Sequence, residues 1–382
     1  ASGGRTIHVA ALGKFTRLAD LVDKIDPILR RLEADGGAAR HRLFVFYFGG
    51  YPNATLFDLV RRRVVLVNAT TRIRRKLANL ALAALRRADR LTPATTDYRV
   101  IGPPMRDLPA VLRLGDGESA ALGRRLETMG IDPTRRFIVF GLRDMAYYRF
   151  YGEVMDVPLE NQGRRAATHH RCPPLATYAA AAQAWAEQGH QVLRMGLRVS
   201  EALPGNLDPR VIDYASGNRD DALDAFLFTK CWFMIAGDTG LFSGAAAFDR
   251  PSVLSDLYLI QNTMYSSARQ APNVFVPKLY RDDETGEFLS FRETVWFNHS
   301  FATHEACAQL RVSVVHNEAA DILDASRELV ARLDGHFEES AEDRERQAAF
   351  RAIYQPGHIG YKSTALVSSA FLRRYEKLLD AR

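Results

Sequence analysis

The sequence predicts an α/β protein made of two doubly wound, Rossmann-like units that face each other across a cleft. Three observations carry this. Short apolar runs without alternation, such as Ile7 to Leu12, Leu43 to Phe48, Phe137 to Leu142 and Cys231 to Ala236, read as strands buried on both faces. Stretches with apolar residues at helical spacing separate them, and alternating strand and helix is the pattern of parallel sheets. At 382 residues the chain is also too long for one ordinary core, so about two domains are expected.

The first unit, residues 1–115, opens with the strand Ile7 to Leu12. Leu18, Leu21, Val22, Ile25, Ile28, Leu29 and Leu32 then recur at a helix's period. Leu43 to Phe48 is the second strand, Leu56 to Val60 begins a helix, and Val64 to Val67 is the third strand. Ile73 to Leu85 reads as a basic amphipathic helix whose apolar side belongs mostly to the core. Residues 92–116, with Pro93, Pro103, Pro104 and Pro109 and little periodicity, read as the crossing between units.

The second unit, residues 116–355, starts with a helix from Ser119 to Met129 and the strand Phe137 to Leu142. A helix from Leu175 to Gln188, a strand from Gln191 to Met195 and a helix from Asp221 to Lys230 follow. Val274 to Val276 adds a short strand, and Ile322 to Leu333 and Ala341 to Ile353 are late helices. Residues 356–382 hold a turn at 357–360 and a last helix, Leu366 to Leu379, expected to pack back on the first unit.

The second unit turns on residues 230–256. Its strand ends at Gly237-Asp238-Thr239-Gly240, Leu241 to Phe248 is small and apolar like a helix packed on a sheet, and Ser252 begins the next strand. A helix N-terminus at a strand's carboxyl end is an anion site. The amides of Gly240, Leu241 and Phe242, with the hydroxyls of Thr239 and Ser243, would hold a diphosphate. The plainer reading is that these glycines make a tight turn and let helix meet sheet.

Other strand ends bring further polar groups to the same edge. Arg143 and Asp144 follow the strand ending at Leu142, and an arginine there offers a planar fork to phosphate oxygens. Arg194-Met195-Gly196 ends another strand, and Asp213-Tyr214 follows the fragment Val211-Ile212. Asp221 and Asp224 read as the acidic first turn of a helix. His169-His170 has no third ligand at a metal-binding spacing, so no metal is expected, and His170 is a candidate general base.

Composition narrows the class. The chain is 47% hydrophobic and 25% charged, as soluble globular proteins are, and no apolar run reaches a membrane span. Three dispersed cysteines imply a reducing compartment without a disulfide framework, so a cytoplasmic protein is expected. The net charge of +6 is concentrated: Arg61, Arg62, Arg63, Arg72, Arg74, Arg75, Lys76, Arg86, Arg87 and Arg90 face only Asp89 within residues 61–90. Without base-stacking aromatics or a nucleic-acid motif, an anionic membrane or a phosphorylated lipid fits this segment better than nucleic acid. A solvated basic face is the plain alternative.

Several short motifs occur in a telling order. They are the strand end Gly141-Leu142-Arg143-Asp144 with Tyr147, then His170-Arg171, Tyr178 opening a helix, Arg194-Met195-Gly196, Asp213-Tyr214-Ala215, Arg219-Asp220-Asp221, Thr239-Gly240, Pro277-Lys278-Leu279-Tyr280 and Leu289-Ser290-Phe291. Through them residues 137–295 resemble a bacterial family of predicted glycosyltransferases found among surface-polysaccharide biosynthesis proteins. There is a looser similarity to fucosyltransferases, whose His-Val-Arg strand end binds GDP phosphates, but Gly141 stands where that histidine would be.

The resemblance implies the GT-B fold, with the nucleotide-sugar held as a substrate by the second unit and the acceptor by the first. It implies no cofactor. Arg143 and Arg194 would take the phosphates beside the Thr239 to Phe242 turn and Ser243. Asp213, Tyr214 and Asp238 would surround the nucleoside or sugar, with Tyr147, Arg171 and Arg219 nearby and Asp144 and His170 as catalytic groups. The expected reaction is metal-independent sugar transfer to a glycan or lipid-linked acceptor, with peripheral contact at the inner membrane. A sugar-nucleotide epimerase of the same plan and an inactive scaffold module are the alternatives.

Overall fold

A computed structural model of the chain describes residues 5–14, 17–50, 52–92, 107–154, 169–217, 219–258, 272–297, 303–358, 360–361 and 364–379. Most of the proline-rich crossing expected at 92–116 lies outside the described residues. The first sheet consists of β1 (Thr6–Lys14), β2 (His41–Phe48) and β3 (Val65–Asn68), parallel throughout and in that order, without a reversal. Helices α1 (Leu18–Ala34), α2 (Gly37–Arg40) and α3 (Ala54–Arg61) connect the strands, and α4 (Arg72–Arg87) follows β3. The periodic residues Leu21, Val22, Ile25, Ile28 and Leu29 of α1 are all buried, each stabilising by about 1.5–3 kcal/mol. Asn53 caps α3, its side chain accepting from the Leu56 amide at 2.9 Å.

Helix α5 (Asp116–Glu127) leads to a sheet of seven parallel strands. These are β4 (Phe137–Leu142), β5 (Gln191–Arg194), β6 (Val211–Ile212), β7 (Phe233–Gly237), β8 (Ser252–Leu257), β9 (Asn273–Pro277) and, late in the chain, β12 (Leu366–Val367). Between β9 and β12, β10 (Leu279–Asp282) and β11 (Val312–Val315) form a separate antiparallel pair. The order across the large sheet is β12-β9-β8-β7-β4-β5-β6. It reverses between β4 and β7, which opens a crevice at the carboxyl ends of those strands, where open α/β sheets bind ligands. Every residue of β7, β8 and β9 is buried, the polar Ser252, Ser255, Asp256 and Asn273 included.

The helices of this part are α6 (Met145–Val154), α7 (Leu175–Glu187), α8 (Asp221–Lys230), α9 (Leu241–Ala247), α10 (Phe291–Thr294), α11 (His304–Gln309), α12 (Ala319–Leu333), α13 (Ala341–Ala352) and α14 (Ser369–Arg374). The predicted last helix is divided: Leu366 and Val367 pair with Val274 and Phe275 at the sheet edge, and only α14 and a 3₁₀ turn at Glu376–Leu378 follow. Helix α14 packs on α12 and α13. Gln347 holds the edge strand by donating to the Val367 carbonyl.

The two sheets share one buried apolar cluster, running from Leu21 and Leu43 through Phe137 and Phe233 to Leu329 and Leu372. Helix α1 packs on α9, and Arg30 fixes that contact. The guanidinium is fully buried. Its Nε donates to Asp26 Oδ2 at 2.9 Å, and Nη1 donates to Asp249 Oδ1 at 2.7 Å and the Leu108 carbonyl at 2.6 Å. Nη2 donates to the Ala246 and Ala247 carbonyls at 3.2 and 3.3 Å. All five donors are thus used, two of them on carbonyls at the end of α9. Asp249, in the left-handed region at φ 53° just past α9, also accepts the Ala110 amide at 2.6 Å. Arg30→Met should therefore cost about 3–5 kcal/mol of unfolding free energy in urea titrations, because two carboxylates lose their buried partner. A loss below about 1 kcal/mol would contradict this account.

Candidate functional site

The crevice at the strand-order reversal is a cavity of about 350 Å³. The large sheet supplies Leu142, Arg143 and Asp144 after β4, Arg194 to Val199 at the end of β5, and Asp238 to Ser243 after β7. The first part of the chain closes it with Arg17, Leu18, Ala19 and Asp23 of α1 and with Pro52 and Asn53 before α3. Six arginines and four aspartates line the cavity, giving a surplus of positive charge. Fourteen of the predicted residues are in this lining: Arg143, Asp144, Tyr147, Arg171, Arg194, Met195, Gly196, Arg219, Asp238, Thr239, Gly240, Leu241, Phe242 and Ser243.

The polar groups hold one another in place. Asp238 sits in the left-handed backbone region at φ 43°, and its Oδ2 accepts from Arg171 Nε at 2.9 Å and Nη2 at 2.7 Å. The Arg171 guanidinium also lies 4.5 Å over the Tyr258 ring. Arg219 donates to Asp224 through Nε at 3.0 Å and Nη2 at 2.6 Å, and to Asp221 at 2.8 Å. Burial pushes the Asp224 carboxyl up to about 6, although Arg219 and the Tyr214 hydroxyl pull it down. Arg198 lies 4.5 Å over the Phe150 ring and donates to the Leu197 carbonyl.

Several expected roles change. Arg194, expected on phosphate, is buried; Nη1 donates to the Glu201 carbonyl at 2.7 Å and lies 3.6 Å from Asp213 Oδ2, and Nη2 lies 4.0 Å from Asp144 Oδ2. Asp144, expected to be catalytic, accepts the Ala146 amide at 2.7 Å and the Ser200 amide and hydroxyl at 2.9 and 3.0 Å. These bonds tie the end of β4 to residue 200. His170, Asp213 and Tyr214 lie outside the lining. His170 packs edge-on against Tyr258, Asp213 accepts the Leu203 amide, and the Tyr214 hydroxyl donates to Asp224 Oδ1 at 2.9 Å.

The diphosphate loop is also modified. Ser243 lines the cavity but is itself buried, and its hydroxyl donates to Asp23 of α1 at 3.0 Å. Gly240 abuts Ala19, and α9 has seven residues. Asp220 caps α8, accepting the Ala222 and Leu223 amides, and Asp221 and Asp224 form its acidic first turn as expected. Asp221 also accepts the Ala54 amide at 2.7 Å and so joins α8 to α3.

Two glycines have steric reasons. A Cβ on Gly141 would lie 2.4 Å from Leu241 Cδ1, and one on Gly237 would lie 2.3 Å from the Tyr178 hydroxyl. Tyr178 passes Gly237 to donate to Asp256 Oδ2 at 2.9 Å. Asp256, left-handed at φ 54° where β8 bulges, gathers Lys278 at 3.5 Å and His316 at 2.9 Å on Oδ1. Burial pushes its carboxyl up, but Lys278, His316 and Tyr178 outweigh this and hold it below its usual range. Lys278 in turn reaches the Arg171 carbonyl at 3.4 Å, so this cluster braces Arg171 from behind. Sequence reasoning missed Arg17, Asp23 and Asn53, which carry no motif and reach the cavity only through the packing of the first part on the second, and Arg198, which lies in the loop after β5 outside any motif.

No family model matches the chain, and no curated protein sequence matches it. Solved structures similar to it are glycosyltransferases by name. One is a glycosyl transferase family 9 protein from Veillonella parvula DSM 2008 (12% identity, covering 72% of this chain and 87% of that one, TM-score 0.44). Another is ADP-heptose LPS heptosyltransferase II from E. coli (15%, 65% and 84%, TM-score 0.37). A third is the iron-containing dodecameric glycosyltransferase TibC from enterotoxigenic E. coli H10407 (12%, 66% and 59%, TM-score 0.31). Likenesses this loose carry no functional argument, which falls to the cavity itself.

Tyr214→Phe removes a hydrogen bond to the ionised form of Asp224. It should lower unfolding free energy by about 1.5–3 kcal/mol at neutral pH and move the Asp224 carboxyl titration, followed by NMR, upward from its position near 6. An unmoved titration would show that the hydroxyl does not support this carboxylate.

Proposed function

We propose that the protein is a glycosyltransferase that moves a sugar from a nucleotide-sugar to a glycan or lipid-linked acceptor, without a metal ion. In this reading residues 1–115 take the acceptor and residues 116–355 the donor. The observation that carries the reading is the arginine-rich cavity at the reversal of strand order, closed by α1 and the start of α3. Breaking the bond between sugar and diphosphate leaves negative charge on the departing phosphate. Fixed cations and amides aimed at that charge stabilise the transition state without reorganising. Arg143 and Arg198 are assigned to the phosphates, and Arg171, Arg194 and Arg219 to holding Asp238, Asp144 and Asp224 in place.

The acceptor hydroxyl must lose its proton as it attacks the sugar. Asp144 is saturated with donors, and His170 is outside the lining, so this role is assigned to Asp23. It enters the cavity from α1, on the acceptor's side, and is oriented by the Ser243 hydroxyl at 3.0 Å.

A panel of nucleoside diphosphates and their sugars, screened by thermal shift and followed by calorimetry, tests the donor assignment. At 100 times its Kd, a ligand adds about 2.7 kcal/mol of stability. Arg143→Ala should weaken the nucleotide that binds by about 2 kcal/mol, roughly thirtyfold. If no nucleotide binds, or the variant binds like wild type, the donor assignment fails. With a donor in hand, nucleotide release in EDTA should require an acceptor, whereas an epimerase would turn over without one. Asp23→Asn should lower kcat by about a hundredfold or more while leaving nucleotide affinity unchanged; full turnover would remove Asp23 from the mechanism.

A further inference from the structure

Helix α4 presents an apolar face to solvent. Ile73, Leu77 and Leu80 are 73%, 62% and 69% exposed, and Ala81 and Ala84 are exposed beside them. The helix is anchored by a different side, where Ala78 and Leu82 are buried. At 100° per residue, Ile73, Leu77, Leu80, Ala81 and Ala84 fall on one outward stripe. Arg74 borders that stripe on one side, and Lys76 and Arg87 border it on the other. The sequence reading put this apolar side mostly in the core, and the structure turns it outward.

The charges around the stripe are unlike those of the neighbouring basic run. Arg61 pairs with Asp58 at 2.7 Å, Arg62 with Glu118 at 2.6 Å and Arg63 with Glu33 at 2.5 Å. Arg75 lies over the Phe48 ring and donates to the Thr70 carbonyl. By contrast Arg72, Arg74, Lys76, Arg86 and Arg87 make no ion pair among the described residues, and α4 contains no acidic residue.

We propose that α4 is an interfacial helix that seats the protein on an anionic lipid bilayer, with Ile73, Leu77 and Leu80 entering the acyl boundary and Arg74, Lys76 and Arg87 at headgroup level. An apolar stripe bracketed by cations, on a helix with a strongly polar remainder, is what such a surface takes up. A second copy of the chain is the competing occupant, since 73, 77, 80 and 84 also follow a coiled-coil spacing. Pairing two such helices would set cations against cations along both borders, whereas an anionic bilayer complements stripe and borders together.

The placement deepens the proposed function, on which it rests only for what the membrane delivers. Helix α4 begins four residues after β3, at the carboxyl edge shared by the parallel strands of the first sheet, the same edge from which Arg17 to Asp23 and Asn53 reach the cavity. Docking through α4 would set the acceptor side of the cleft beside the lipid surface, so the acceptor class is a glycan carried on a lipid.

Sedimentation with phosphatidylcholine vesicles, with and without phosphatidylglycerol, tests this on the full chain. Wild type should bind the anionic vesicles, lose them as salt is raised, and leave the neutral ones. Arg74→Gln/Lys76→Gln/Arg87→Gln should lower partitioning on the order of a hundredfold, about fivefold for each cation. Ile73→Ser/Leu77→Ser/Leu80→Ser should lower it about tenfold or more. Both sets change exposed side chains, so circular dichroism and nucleotide affinity should match wild type. Vesicle binding of the serine variant at the wild-type level would overturn the proposal, as would equal binding to neutral vesicles. A wild-type dimer in sedimentation velocity that the serine variant dissolves, with no vesicle binding, would instead assign the stripe to a second copy. Vesicle binding and nucleotide binding are read separately, so failure of either leaves the other standing.

Discussion

The contact on which this architecture depends is a single buried guanidinium. Arg30 satisfies two carboxylates and three carbonyls drawn from α1, residue 108 and the end of α9. Apolar packing alone would bring α1 and α9 together with little preference for register. A planar fork with all five donors committed accepts one arrangement, because sliding either helix strands charge in a dry interior. That fixed register brings Ala19 against Gly240 and Asp23 onto Ser243. The near wall of the cavity is therefore set by an interaction away from the cavity.

Five of the six cavity arginines fall into two groups. Arg171, Arg194 and Arg219 each have a carboxylate close by, and two of those carboxylates, Asp144 and Asp224, have a further donor in the Ser200 and Tyr214 hydroxyls. They make a stiff, nearly neutral frame. Arg143 and Arg198 come from segments just beyond β4 and β5, where the strand edge gives way to loop and helix. A site built this way keeps its shape when the ligand is absent and adds charge where a ligand would meet it.

Much of the fold was legible because central strands such as β4 and β7 are buried on both faces, and there burial leaves uninterrupted apolar runs. The seventh strand was not legible: Leu366 and Val367 are two residues long and sit in a stretch that also suits a helix. Helix α6 was missed because Tyr147, Tyr148 and Gly152 within Met145–Val154 give no clean period. Periodicity shows that a helix has an apolar face, not what that face meets, so the outward turn of Ile73, Leu77 and Leu80 was beyond it. The strand-end rule found Arg143, Arg194 and Asp238 because topology fixes where strand ends go. It could not tell a side chain aimed at a ligand from one aimed at its neighbour: Asp213, Tyr214 and Ser243 each bond to another part of the protein.

The edge strand has a consequence for how the molecule is made. β9 pairs with β8 on one side and with β12 on the other, and its second partner lies about ninety residues further on, at Leu366 opposite Val274. During synthesis that side of β9 stays uncovered until α12, α13 and residues 366–367 have all emerged. An open, largely apolar strand is a template for other chains. Nascent protein is thus exposed to mispairing over a long interval, and a chain stopped short of residue 366 keeps that edge permanently open.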